Sequence, residues 1–240
     1  MKAKSINIIY QFLWFSIFSI FNPSPKKTLS LDEFLVRSIE RFTFQIKLAR
    51  FLSNIFKVKI LLLIGDSNSG VFNSYSSAIR FNAITITLGV PGTQSLQWNK
   101  LLELDEAKEL KSLLDWIDKE HIFCWNIGGN FVLQGLMSEA EESLLKLWKL
   151  FPNSFNILIP PIHTSLLESV PNDIDYEYDV EIINSYIMRF WGIRAINLRL
   201  LFLNPWTNDS WYGYLSDPVH YSFKGKKIIA RALNMVLGFA

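Results

Sequence analysis

Short, mostly apolar runs alternate with helical stripes along most of this chain. Val58–Ile64, Ile84–Leu88, Ile122–Asn126 and Phe155–Ile159 are brief and dominated by branched or aromatic residues. They are too short for buried helices and fit strands covered on both faces. A fifth strand is expected at Ala195–Leu201. Between the runs, apolar residues take a helical spacing. Leu35, Ile39, Phe42, Ile46 and Ala49 recur at intervals of four and three behind the capping-box pattern Ser30-Leu31-Asp32-Glu33. Leu101, Leu104, Leu110, Leu113, Leu114 and Ile117 predict one helix over Lys100–Lys119. Further helices are expected around Val71–Arg80, from the capping box Ser138-Glu139-Ala140-Glu141, over Val180–Trp191 up to Gly192, and over Phe223–Leu237. Strands alternating with helices imply an α/β fold with a parallel sheet covered on both faces. In such sheets, ligands bind beyond the carboxyl ends of the strands.

The first twenty-odd residues break this rhythm. Ile6–Phe21 is mostly apolar, and no charge falls between Lys4 and Lys26. Lys2 and Lys4 precede it as in the n-region of a signal peptide, but Phe21-Asn22-Pro23-Ser24-Pro25 offers no small-x-small cleavage site. A helix of that length spans about 24 Å, short of a hydrocarbon core of about 30 Å. Asn7, Gln11, Ser16 and Ser19 weaken it further. The expectation is an apolar segment and linker over residues 1–27, followed by one domain over 28–240. The segment serves as an export signal or short anchor, or else as a helix packed on the domain or lying on a membrane surface. Export or membrane association through residues 6–21 is favoured over a cytoplasmic location.

Half of the 240 residues are hydrophobic and 19% are charged, ample for one core. The net charge of +2, with no Lys/Arg stripe interleaved with aromatics, argues against nucleic acid as a partner. Cys124 is the single cysteine, so no intrachain disulfide can form. Its apolar surroundings predict a buried, inert thiol. No Cys/His spacing has the pattern of a metal site.

Four segments carry candidate chemistry, and three of them follow expected strands. They are Gly65-Asp66-Ser67, Gly89-Val90-Pro91-Gly92, Gly128-Gly129-Asn130 and, near the C-terminus, Asp217-Pro218-Val219-His220. Each alone fits an ordinary turn or helix entry. In this order and placement they supply what acyl transfer needs. Ser67 offers a hydroxyl at a strand-to-helix turn, and a serine hydroxyl needs a base. His220 is the candidate base, and Asp217 the carboxylate that fixes its tautomer and charge. Donors to a tetrahedral oxyanion would be the backbone N–H groups of Ser67 and Gly92 and the side-chain amide of Asn130. His121 and His163 are expected in surface or packing roles.

On these residues the chain resembles the SGNH hydrolases, also called the GDSL esterase/lipase family, over roughly residues 58–237. The resemblance implies a three-layer α/β/α sandwich with a five-stranded parallel sheet of flavodoxin-like type. It implies Ser67, Asp217 and His220 as a catalytic triad, and Ser67, Gly92 and Asn130 as the oxyanion hole. It implies no metal or organic cofactor, and a small-molecule, lipid or carbohydrate ester as substrate. The expected activity is serine ester hydrolysis through an acyl-enzyme. The alternatives are O-acyl transfer by the same triad and a catalytically silent domain of this fold. Two residues depart from the family pattern. Phe131 stands where Asp often follows the asparagine, so a hydrogen bond orienting Asn130 is expected to be missing or replaced. Asn68 stands where Leu often follows the serine, with no loss of chemistry expected. The segment Asn204–Tyr214 holds four aromatics just before Asp217, and it either lines a substrate pocket or packs its own loop. Asn208-Asp209-Ser210 also matches a glycosylation sequon.

Overall fold

The computed structural model describes residues 2–21, 31–66, 78–159, 175–198 and 222–238. Its elements are α1 (Ala3–Phe21), α2 (Leu31–Phe56), β1 (Ile60–Gly65), β2 (Ile84–Gly89), α3 (Ser95–Glu103), α4 (Lys108–Glu120), β3 (Ile122–Asn126), α5 (Gly129–Leu133), α6 (Met137–Leu150), β4 (Phe155–Ile157), α7 (Tyr176–Trp191), β5 (Ala195–Ile196) and α8 (Phe223–Val236). Among the described residues the strands form one five-stranded sheet in the order β2-β1-β3-β4-β5. Every pairing is parallel. This is the expected α/β architecture.

Alternation along β1, which is paired on both sides, builds the three layers. Ile60, Leu62 and Ile64 point to one face, where they join Phe42, Trp98, Leu114, Leu144 and Ile183 from the helices α2, α3, α4, α6 and α7. Leu61 and Leu63 point to the other, where they meet Cys124, Ile157, Ile196 and the α8 residues Ile229, Ala230 and Leu233. Successive strand residues face opposite ways, so a strand buried on both sides must be apolar at every position. An aromatic chain fills the first layer. The ring centroids of Phe42 and Trp98 lie 6.1 Å apart, those of Trp98 and Trp125 6.1 Å, and those of Phe123 and Trp125 4.8 Å. Cys124 is fully buried, and burial raises its thiol well above the ordinary range.

Some boundaries differ from the sequence reading. The helix expected over Lys100–Lys119 is two helices, because Leu104 takes an extended conformation (φ −69°, ψ 143°) and a short 3-10 turn follows at Asp105–Ala107. Asp105 and Glu106 suit a new helix start, where negative charge is favoured. The box Ser138–Glu141 does not cap α6. That helix begins earlier, at Met137 after Leu136, and no side chain caps it. α7 begins at Tyr176, with Asp175 capping it by accepting from the Tyr178 backbone N–H at 3.2 Å. β4 and β5 are shorter than expected. Ser30, most of Val71–Arg80, Pro160, Pro161 and the end of the Ala195–Leu201 run lie outside the described residues.

The N-terminal segment packs against the sheet edge. Ile6, Asn7, Tyr10, Gln11 and Trp14 of α1 are buried. The Asn7 amide donates to the Ala78 and Phe81 carbonyls at 3.0 and 3.1 Å, and its oxygen accepts from the Thr85 backbone N–H at 3.0 Å. The Gln11 amide donates to the Thr85 carbonyl at 2.6 Å. Two polar residues that interrupt an apolar run therefore satisfy the outward backbone of β2 at Thr85. No described helix is long and apolar enough to cross a membrane.

Candidate active site

The strand order places a topological switch at β1. The chain moves from β1 outward to β2, then returns to β3 on the other side of β1. Open parallel sheets leave a crevice at that point, beyond the strand carboxyl ends. The register puts three of the sequence segments at its rim: Gly65 lies level with Gly89 on β2 and with Asn126 on β3.

Hydrogen bonds then tie the three loops together. The Asp66 backbone N–H donates to the Asn126 carbonyl at 3.2 Å, and the Val90 N–H donates to the Gly65 carbonyl at 3.0 Å. The Thr93 hydroxyl lies 3.0 Å from the Gly65 carbonyl and 2.8 Å from the Val90 carbonyl, with one proton to share between them. The Asn130 amide donates to the Thr93 carbonyl at 2.9 Å. Gln94 is fully buried, and its amide donates to the Asn130 backbone carbonyl at 3.1 Å and to the Gln134 side-chain oxygen at 2.7 Å. The Gln134 amide in turn donates to the Gly92 carbonyl at 3.0 Å. A loop of amides thus closes between the Gly92 turn and α5.

Two glycines make this approach feasible. Gly92 has φ +78°, a left-handed conformation that L side chains rarely adopt. Gly128 has φ +137°, and a Cβ there would sit 2.9 Å from Ile183 Cγ2 and 3.3 Å from Ile159 Cδ1. It lets α5 start immediately after β3, so Asn130 falls in the first turn of that helix. The helix α5 adds to the elements expected from the sequence, which has none between Asn126 and Ser138.

Asp66 is buried in the crevice. Burial raises the Tyr176 hydroxyl far above its ordinary value, and the negative charge of Asp66 adds to the effect. Phe131 is fully buried in the apolar core. A carboxylate at that position would lack solvent, and Asn130 is instead held by Thr93 and Gln94. Thr93, Gln94 and Gln134 escaped the sequence reading. The signal was there in the position of Thr93-Gln94 directly after Gly92, and in Gln134 one helical turn beyond Asn130.

The structure therefore brings Asp66, Gly92 and Asn130 into one polar cluster. Ser67, Asp217 and His220 lie outside the described residues, as do His163 and the aromatic segment Asn204–Tyr214. His121 sits at the opposite end of β3, edge-on to Trp116 with ring centroids 4.5 Å apart. Burial, and then the nearby Lys59 charge, push its imidazole down to about 4. It packs as a neutral ring. Among the described residues no group of three or more His, Cys, Asp or Glu is placed to hold a metal ion.

No protein-family model matches the sequence, and no curated protein matches it significantly. Solved structures do match the fold. A GDSL-like lipase from Bacteroides thetaiotaomicron superposes with a TM-score of 0.58 at 13% identity, covering 85% of this chain and 98% of that one. A Streptococcus pneumonia protein assigned as a platelet activating factor gives 0.55 at 15% identity, covering 86% and 96%. The M. smegmatis aryl esterase gives 0.50 at 13% identity, covering 76% and 100%. With its parallel five-stranded sheet in this strand order and its loops gathered at the switch point, the chain has the SGNH hydrolase fold.

Proposed function

We propose that this protein is a serine ester hydrolase that works through an acyl-enzyme. The observation that carries the reading is the hydrogen-bonded meeting of the Gly65-Asp66, Gly92 and Asn130 loops at the switch point. The fold shared with a GDSL-like lipase and an aryl esterase supports it. In this reading the Ser67 hydroxyl attacks the ester carbonyl carbon while His220 accepts its proton. Asp217 holds the imidazole in the right tautomer and stabilises the imidazolium. The tetrahedral oxyanion takes hydrogen bonds from the backbone N–H groups of Ser67 and Gly92 and from the Asn130 amide. That amide carries two N–H groups, and one already donates to Thr93, so its plane is fixed before substrate arrives. Collapse of the intermediate expels the alcohol, which takes the proton from His220. Water activated by the same imidazole then releases the acid. The substrate class is a small-molecule, lipid or carbohydrate ester.

A fluorophosphonate probe tests the assignment. The expected result is one covalent adduct, located on Ser67 by peptide mass spectrometry. An unlabelled, folded protein would make this a silent domain of the same fold.

Asn130→Ala is expected to lower kcat by ~10²-fold with a smaller change in KM, because the amide matters most once negative charge has formed on the oxygen. Steady-state kinetics on a soluble ester reads the split. A change confined to KM would make Asn130 a contact to the ground-state substrate.

A further inference from the structure

The outer side of the α1–α2 pair carries apolar residues where a domain surface ordinarily carries polar ones. Phe44, Leu48, Phe51 and Ile55 of α2 recur at intervals of four, three and four, which places them on one side of the helix. Phe44 is 46% exposed, Phe51 60% and Ile55 54%. The buried face of the same helix lies elsewhere, on Leu35, Ile39, Phe42, Ile46 and Ala49. On α1, Ile9, Phe12 and Leu13 are also exposed, with Phe12 at 64%. The two helices lie side by side. The Trp14 and Phe44 ring centroids are 6.4 Å apart, and the Tyr10 hydroxyl donates to the Gln45 carbonyl at 3.4 Å. Large apolar side chains gathered in this way on a surface mark a binding face.

Charge says what binds there. Residues 1–59 contain ten Lys or Arg and three Asp or Glu, whereas residues 60–240 contain fourteen and nineteen. The near-neutral chain is thus divided into a basic N-terminal segment, which carries α1 and α2, and an acidic remainder. Lys2 and Lys4 are exposed at the start of α1, and Lys57 is exposed just beyond Ile55, while the Lys59 ammonium donates to the Glu120 carbonyl at 2.8 Å. An apolar face rimmed by cations is the pattern of a helix that lies in the interface of an anionic bilayer, aromatics in the acyl boundary and lysines among the headgroups. A second copy of the chain fits poorly, since it would bring two basic faces together.

We infer that the outer face of α1 and α2 docks the folded protein on an anionic lipid surface, with neither of these two helices crossing the bilayer. The inference goes beyond the esterase reading and does not depend on it.

Sedimentation of the full chain with large unilamellar vesicles tests it. The protein should pellet with phosphatidylcholine vesicles containing phosphatidylglycerol, pellet far less with phosphatidylcholine alone, and be largely released at ~0.5 M salt. Phe51→Ser with Ile55→Ser should lower the partition coefficient about tenfold or more, with the far-UV spectrum unchanged. Phe12→Ser provides an independent variant on the other helix and should weaken binding in the same direction. Failure of the unaltered protein to pellet with phosphatidylglycerol vesicles would overturn the inference. So would full binding by folded variants of both helices. Self-association in the ultracentrifuge that the double variant abolishes, without vesicle binding, would assign the face to a second copy instead.

Discussion

Ser67→Ala should abolish turnover of short p-nitrophenyl esters while leaving the far-UV circular-dichroism spectrum unchanged. β1 ends at Gly65 with its carbonyl bound to the Val90 N–H, and the next residue, Asp66, is bound to Asn126 on the neighbouring strand. Two bonds therefore fix the chain at the switch point just before Ser67. Alanine removes the hydroxyl and with it the acyl-enzyme route, leaving only what binding and the oxyanion donors can do for water. The expected loss in kcat is roughly 10⁴-fold or more. Full activity in a folded Ser67→Ala protein would move the nucleophile elsewhere and sink the site assignment.

The second large effect is expected at the other end of the proposed triad. Asp217→Asn keeps the size and a hydrogen-bonding group but removes the charge that favours the imidazolium, and it lets the imidazole settle in the wrong tautomer. The equivalent exchange in a serine-protease triad costs about 10⁴-fold in kcat. The unaltered enzyme should show a matching pH dependence. In the proposed mechanism His220 is a base only when neutral, so kcat/KM should fall as pH drops, with an apparent midpoint of about 6–7. A kcat/KM profile of both proteins from acid to neutral pH checks the pair together. An Asp217→Asn enzyme with undiminished rate would mean that another group orients the base.

The parts of this fold that could be read in advance are those whose burial pattern runs unbroken over a whole element. β3 is uniformly apolar from Ile122 to Trp125, and the expected and observed limits coincide at Ile122–Asn126. α8 begins at the expected Phe223 and ends one residue short, at Val236, because an amphipathic stripe repeats over its whole length. The break at Leu104 was not readable. Leu104 continues the apolar stripe, and only the local backbone distinguishes one long helix from two. The entry to α6 was misread because Ser138 and Glu141 have the spacing of a cap, yet the chain turns in already at Gly135, with φ +67°. Of the candidate site, the loops and their glycines were legible from their place after strands. The amide network was not. Gln94, Gln134 and Asn130 meet across separations of 36 and 40 residues, and no local pattern records such contacts.

Asn7 and Gln11 give the sheet a termination signal. A strand at the margin of a sheet is a template, ready to pair with any extended chain that presents a complementary backbone. Here the template is read by two side chains that mimic a neighbouring strand at Thr85 but have no outer edge of their own to offer. Growth of the sheet stops at β2 for a chemical reason, not merely because a helix is in the way. Whatever separates α1 from the body, whether proteolysis or extraction into a lipid phase, would convert a closed margin into a nucleus for polymerisation.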